Sequence, residues 1–169
     1  MIHFALSDSP LMIQNRRVNL DIIIMSKETG KTLGIGLVGF GTVGTGVWEI
    51  LERNSDLIAN RSNVHVEIMR IAVRDIHKSR AIGAPSEKFT TDWKEVVNDP
   101  NVNIVIELIG GTTTAFDIVA ASIRAKKPVV TGNKALLAER GQELFALSNE
   151  FDTPIHFEAA VAGGIPIIK

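Results

Sequence analysis

Apolar residues in this chain gather in short uninterrupted runs, separated by stretches in which they recur every three or four positions. A run bounded by polar residues and glycines suits a strand buried on both faces, while the wider spacing suits a helix with one apolar side. Leu33 to Val38 predicts strand one. Val43, Val47, Ile50, Leu51 and Ile58 then predict one helix of roughly four turns, packed on the sheet and ended by the polar segment Asn60 to Asn63. Val64 to Val73 alternates into a second strand. Arg74 and Asp75 open a charged loop at its carboxyl end, with Lys78 and Arg80 close behind.

The same alternation continues. A short strand around Lys88 to Thr90 and a brief helix from Asp92 to Val97, with Asp92 as cap, lead to an apolar strand from Val102 to Leu108. Ile109-Gly110-Gly111-Thr112 turns into a helix from Ala115 to Ala125, Pro128 to Thr131 makes a strand, and Ala135 to Asn149 makes a helix. Ile155 to Ala159 is the last predicted strand. Each parallel crossover needs a covering helix, so this order predicts an α/β, Rossmann-type, doubly wound and mainly parallel sheet with helices on both faces. No repeats or low-complexity tracts interrupt it. The expected organisation is an amino-terminal extension over residues 1–30, a nucleotide-binding domain over 31–160 and the beginning of another unit over 161–169.

Composition narrows the chemistry. A chain of 169 residues, 45% of them hydrophobic, can bury one sizeable core. Eighteen Lys and Arg against 19 Asp and Glu leave no field that argues for nucleic acid or a membrane surface as partner. The absence of cysteine removes disulfides, thiolate metal sites and thiol nucleophiles. The first 25 residues look apolar, yet Asp8, Arg16, Arg17 and Asp21 interrupt them before a spanning length is reached. They also lack the ordered parts of a signal peptide, so a cytoplasmic location is expected. His3, His65, His77 and His156 show no metal-ligand spacing.

Gly39, Gly41 and Gly44 form a GxGxxG sequence between the first predicted strand and the first predicted helix. The first glycine permits the tight turn, the second leaves room for a pyrophosphate against bare backbone, and the third lets helix and strand approach. A glycine turn chosen only for packing is the plainer explanation, but the strand and helix flanks favour a dinucleotide, with Thr42 and Val43 contacting its phosphates. An arginine at the end of the second strand accommodates a 2′-phosphate, whereas an acidic residue there holds free ribose hydroxyls. Arg74 precedes Asp75, and Lys78 and Arg80 add positive charge, so NADP is expected and Asp75 keeps NAD open.

Thr131, Gly132, Asn133 and Lys134 stand at a strand's carboxyl end, where open α/β sheets bind ligands. A lysine in a helix's first turn opposes the dipole, which points to anion or carbonyl binding; a snorkelling surface lysine fits the sequence equally well. Glu107 reads as a hydrogen-bonding anchor for the Gly110-Gly111 turn rather than a catalytic base. Glu158 precedes a small-residue turn whose carbonyls could join it around a hard cation, a reading that composition alone does not favour.

Taken in order, GLVGFGTVGTGV, AVRD, VIELIGGTTTA, VVTGNKALLA and FEAAVAGGIPII closely resemble homoserine dehydrogenase from about Leu33 onward. The resemblance implies reversible reduction of aspartate semialdehyde to homoserine with NAD(P)H, on the branch of aspartate metabolism leading to threonine, methionine and isoleucine. It implies that Phe40, Thr42 and Val43 meet the cofactor phosphates, Arg74 the adenosine ribose, and Gly111 and Thr112 the nicotinamide-side ribose. Lys134 resembles the family's catalytic lysine, which contacts both cofactor and substrate. Glu158 with the carbonyls of Val161, Gly163 and Ile165 resembles its sodium site. Gly132 departs from the family's usual alanine. The family continues beyond GGIPII into a substrate and dimerisation domain that makes it a homo-oligomer, so this chain alone is expected to bind cofactor with little turnover. Two other readings stay open at this point: a non-catalytic dinucleotide-sensing module, and a dehydrogenase of another amino-acid aldehyde.

Overall fold

The structure is a computed structural model and describes residues 31–76 and 83–157. Six strands form one sheet: β1 (Thr32–Val38), β2 (His65–Ala72), β3 (Phe89–Thr90), β4 (Ile104–Glu107), β5 (Val129–Thr131) and β6 (Ile155–His156). All neighbours pair in parallel, in the order β3-β2-β1-β4-β5-β6. The doubly wound α/β sheet expected from the alternating runs is the one observed, and it is the strand order of dinucleotide-binding sheets. The helices are α1 (Thr42–Arg53), α2 (Ser55–Ser62), α3 (Trp93–Asn98), α4 (Thr113–Arg124) and α5 (Lys134–Glu150).

Strand alternation divides the core between the two faces of the sheet. Ile35, Leu37, Ile68 and Ile71 meet Phe40 and Trp48 on one side, beneath α1. Val38, Ala72 and Val105 meet Val96 of α3 and Ile118 of α4 on the other. Val129 of β5 joins Ala115, Val119 and Ile123 of α4 to Leu136 and Leu144 of α5. Asp92 caps α3 by accepting from the Lys94 amide at 2.9 Å, as its position before the helix predicts.

Two expectations for the first helix need correction. The single helix is two, because the chain leaves helical geometry at Asn54, whose side-chain Nδ2 donates to the Ile50 carbonyl at 2.8 Å. The Ile50 carbonyl accepts both this side chain and the Asn54 backbone amide, at 3.1 Å, so Asn54 closes the end of α1. The helix also rolls away from the predicted stripe. Val43 and Ile50 are 63% and 61% exposed, and Gly44, Trp48 and Leu51 make the contact with the sheet. Gly44 decides the roll: without a side chain it can lie on the end of β1, which turns Val43 outward.

At the amino-terminal edge, Asp99 joins three segments. Its carboxylate accepts from Arg70 Nε at 3.3 Å and from the Asn101 amide at 2.8 Å, and its carbonyl accepts from Lys127 Nζ at 2.5 Å. Burial pushes the Asp99 carboxyl up, but the hydrogen bonds from Asn101 and Arg70 outweigh it and hold it below the usual carboxylate range. A depressed native value means that the unfolded chain binds the extra proton. The contribution of Asp99 is therefore complete above the unfolded value of about 3.9 and is lost as pH falls through the lower native one. The melting midpoint should fall on acidification below about pH 4, and less steeply in Asp99→Asn. Equally steep curves for the two proteins would remove Asp99 from the acid dependence.

Candidate functional site

The carboxyl ends of β1, β2, β4 and β5 lie side by side, and the backbone stitches their loops together. The Gly39 amide donates to the Ala72 carbonyl at 2.9 Å, the Leu108 amide to the Val38 carbonyl at 2.8 Å, and the Gly132 amide to the Glu107 carbonyl at 3.4 Å. Between β1 and β4 the strand order reverses, since β2 and β3 extend to one side and β5 and β6 to the other. Ligands of open α/β sheets bind at that crevice.

The glycine loop spans it. Gly39 has φ +104°, and a Cβ there would stand 2.7 Å from the Leu108 carbonyl oxygen. At Gly44 a Cβ would stand 2.2 Å from the Gly39 carbonyl oxygen, inside any real contact distance. These two glycines seat α1 on the strand end. Gly41 is different: nothing lies within 4 Å of its Cβ position, so bare backbone faces open space at the helix start. α1 has no side-chain cap and no acidic residue in its first turn, leaving its leading amides without side-chain acceptors. Such amides, with the positive end of the helix dipole, suit an anion, and a diphosphate fits this cradle.

Phe40 contributes differently from a side-chain ligand. Its ring is buried, in edge-on contact with Phe89 at 5.2 Å and Trp48 at 6.4 Å, so only its main chain can face a phosphate. Thr42 and Val43 are exposed in the first turn of α1. Arg74 and Asp75 are exposed just past β2, at the same edge. Lys78 and Arg80 lie outside the described residues.

After β4, Gly110 and Gly111 both take left-handed backbone, φ +73° and +74°, with open space at their Cβ positions. Thr112 precedes α4, which likewise has no side-chain cap and no acidic first turn. Glu107 is fully buried and accepts from the Ile109 amide at 2.8 Å, so it anchors the turn as expected. It also accepts from Thr131 Oγ1 at 2.6 Å, a partner the linear sequence did not point to. Only a period-two reading of both strands, placing Glu107 and Thr131 last on β4 and β5, could have suggested that their side chains meet.

Lys134 is the first residue of α5 and is exposed. Among the described residues its ammonium has no hydrogen bond or ion pair. Asn133 caps α5 by accepting from the Leu136 amide at 3.1 Å, and it donates to the Gly111 carbonyl at 2.7 Å. The structure thus brings Gly39, Gly41, Thr42, Gly44, Gly111, Thr112 and Lys134 to one edge, where three helices begin with no acid in their first turns. Glu158, Val161, Gly163 and Ile165, the residues of the expected sodium site, lie outside the described residues. Among those described, no group of three His, Asp or Glu side chains is placed to hold a metal, and no helix is long and apolar enough to cross a membrane.

Comparison with known proteins gives a consistent result. Residues 39–158 match the family model described as homoserine dehydrogenase, NAD binding domain. The homoserine dehydrogenase of Bacillus subtilis is 42% identical over 139 residues, and that of Pseudomonas aeruginosa 44% identical over 139 residues; each alignment covers 82% of this chain and 32% of the relative. The crystal structure of homoserine dehydrogenase from S. aureus at pH 7.5 superposes with a TM-score of 0.75 at 38% identity, covering 80% of this chain and 34% of that one. The enzyme from Thiobacillus denitrificans gives a TM-score of 0.74 at 44% identity, covering 81% and 32%. This chain therefore spans about a third of the length of the relatives it matches.

The glycine geometry separates two substitutions. Gly44→Ala should cost about 1–3 kcal/mol, because main chain rather than a flexible side chain opposes the new methyl. Gly41→Ala should stay within about 0.5 kcal/mol of the native protein in denaturant titrations and yet weaken dinucleotide binding, because its methyl enters the open cradle. Unchanged binding in Gly41→Ala would place the diphosphate elsewhere.

Proposed function

We propose, from the premise that this chain belongs to the homoserine dehydrogenase family through that family's NAD-binding domain, that it carries the dinucleotide half of a homoserine dehydrogenase site. The observation that supports this best is the open, side-chain-free cradle at Gly41, beside an uncapped helix start and at the reversal point of the sheet. The corresponding reaction interconverts aspartate semialdehyde and homoserine. When bound, the reduced nicotinamide supplies the hydride.

The residues of this chain would bind and orient. The main-chain amides of Phe40, Thr42 and Val43 face the diphosphate, and Gly39 and Gly44 keep the helix close enough for them to reach it. Gly111 and Thr112 meet the nicotinamide-side ribose. Lys134, the catalytic residue of this reading, stands at the start of α5 with its ammonium available to both cofactor and substrate oxygens, where it stabilises developing negative charge. Remaining substrate ligands, a proton-donating lysine and the contacts of a homo-oligomer belong to the substrate and dimerisation domain of the longer relatives. Residues 161–169 lead towards that domain, residues 1–30 form an extension, and 31–160 form the binding domain. A sodium ion held by Glu158 and the carbonyls of Val161, Gly163 and Ile165 belongs to the same reading.

NADP is the preferred partner because Arg74, exposed at the end of β2, offers a planar guanidinium suited to bidentate pairing with a 2′-phosphate. Parallel calorimetric titrations should give tighter binding of NADPH than of NADH. Arg74→Ala should weaken NADPH about tenfold, the loss of roughly 1.4 kcal/mol, and NADH much less. Equal losses would leave Arg74 out of cofactor choice. Homoserine oxidation by the chain alone should be near background and should rise when the carboxyl-terminal domain of a homologue is supplied. Robust turnover without it would overturn this division of labour between the two domains.

A further inference from the structure

The carboxylate of Glu107 is wholly buried at the end of β4 and, among the described residues, has no cationic partner. Burying a carboxylate is costly, and an apolar residue would serve a purely packed strand end better. Its two oxygens take different tasks. Oε1 accepts from the Ile109 amide, at the entrance to the Gly110-Gly111 turn, and Oε2 accepts from Thr131 Oγ1 on the neighbouring strand.

Thr131 continues the chain of bonds. Its hydroxyl gives its one proton to Glu107, so an oxygen lone pair is left to accept from the Asn133 amide at 3.1 Å. Asn133 divides its side chain in turn: Oδ1 caps α5 at Leu136, and Nδ2 donates to the Gly111 carbonyl, 22 residues earlier. The path leaves Glu107 in two directions and ends at two turns that face the crevice. One carries Gly111 and the other immediately precedes Lys134.

We infer that Glu107 is a positioning residue that holds the Gly111 turn and the Lys134 helix start as one unit, with Thr131 and Asn133 as the links. The cofactor-facing and substrate-facing groups then keep a fixed separation, although no residue of the linkage other than the Gly111 turn need touch a ligand. The functional weight of the unit rests on the proposed roles of Gly111 at the cofactor and Lys134 at the substrate; its mechanical coupling does not. A carboxylate suits the junction because both of its partners donate, and both bonds are shielded from water.

The test compares Glu107→Gln, Thr131→Val, Thr131→Ser and Asn133→Asp in the full 169-residue chain. Thr131→Val keeps the shape and deletes only the hydroxyl, so it serves if Glu107→Gln does not fold. Asn133→Asp keeps the cap at Leu136 and loses the donor to Gly111. Hydrogen exchange at the Ile109 and Leu136 amides, which donate to Glu107 and Asn133, should accelerate about tenfold in Thr131→Val and Glu107→Gln, the loss expected for one buried hydrogen bond, while Leu37 and Ile71 remain protected. Asn133→Asp should leave the Leu136 amide protected and shift the carbonyl carbon resonance of Gly111, and Thr131→Ser should match the native chain. In Thr131→Val, affinity for NADPH should drop about tenfold and affinity for ADP, which lacks the nicotinamide half, should not change. Faster exchange at only one turn in Thr131→Val, or parallel loss of NADPH and ADP affinity together with core protection, overturns the proposal. A native chain that binds neither NADPH nor ADP sinks the dinucleotide reading instead, and the exchange data still decide the coupling.

Discussion

The structure depends on how closely the start of α1 can approach the end of β1. At Gly44 the space a methyl would need is already taken by the Gly39 carbonyl, and at Gly39 the backbone is left-handed and pressed against Leu108. Relaxing either contact would lift the helix, and its leading amides would no longer point into the crevice. The same approach turns Trp48 inward to meet Phe40, so the first aromatic cluster of the core and the open glycine loop arise from one packing decision. It also leaves Val43 and Ile50 exposed, in a helix whose spacing alone puts them inside.

Electrostatics at the carboxyl edge follow from topology. Because every strand is parallel, α1, α4 and α5 all begin there, and their dipoles add positive potential at the same place. None has an acidic residue in its first turn to offset it. Arg74 and Lys134 stand exposed on that edge as well. The positive field at this edge is therefore built mostly from backbone, with two side-chain cations added to it. Glu107 brings the opposite charge beneath this surface, where internal donors take up both of its oxygens and it does not compete with a ligand.

The opposite edge has another task. Asp99 gathers Arg70, Asn101 and Lys127 from β2 and from the segments preceding β4 and β5, where no ligand site is expected. One sheet thus separates a polar network at its amino-terminal edge from the crevice between loops at its carboxyl edge.

Much of this was legible in one dimension. All six strands were located, the first from an uninterrupted apolar run, as a strand covered on both faces allows, and the second from alternation along Val64 to Val73. The glycine spacing located the tight turn between β1 and α1, because only glycine fits where backbone approaches backbone, and Lys134 stood out as a cation at the wrong end of a helix. What local pattern could not supply was rotation and pairing. The roll of α1 about its axis is set by the contact at Gly44, and the meeting of Glu107, Thr131, Asn133 and Gly111 by the register of β4 against β5. Spacing along the chain determines which elements form and in what order they follow one another. Which side chains touch is decided only when distant strands align, because hydrogen bonds and close contacts act over a few ångströms and do not recognise separation in sequence.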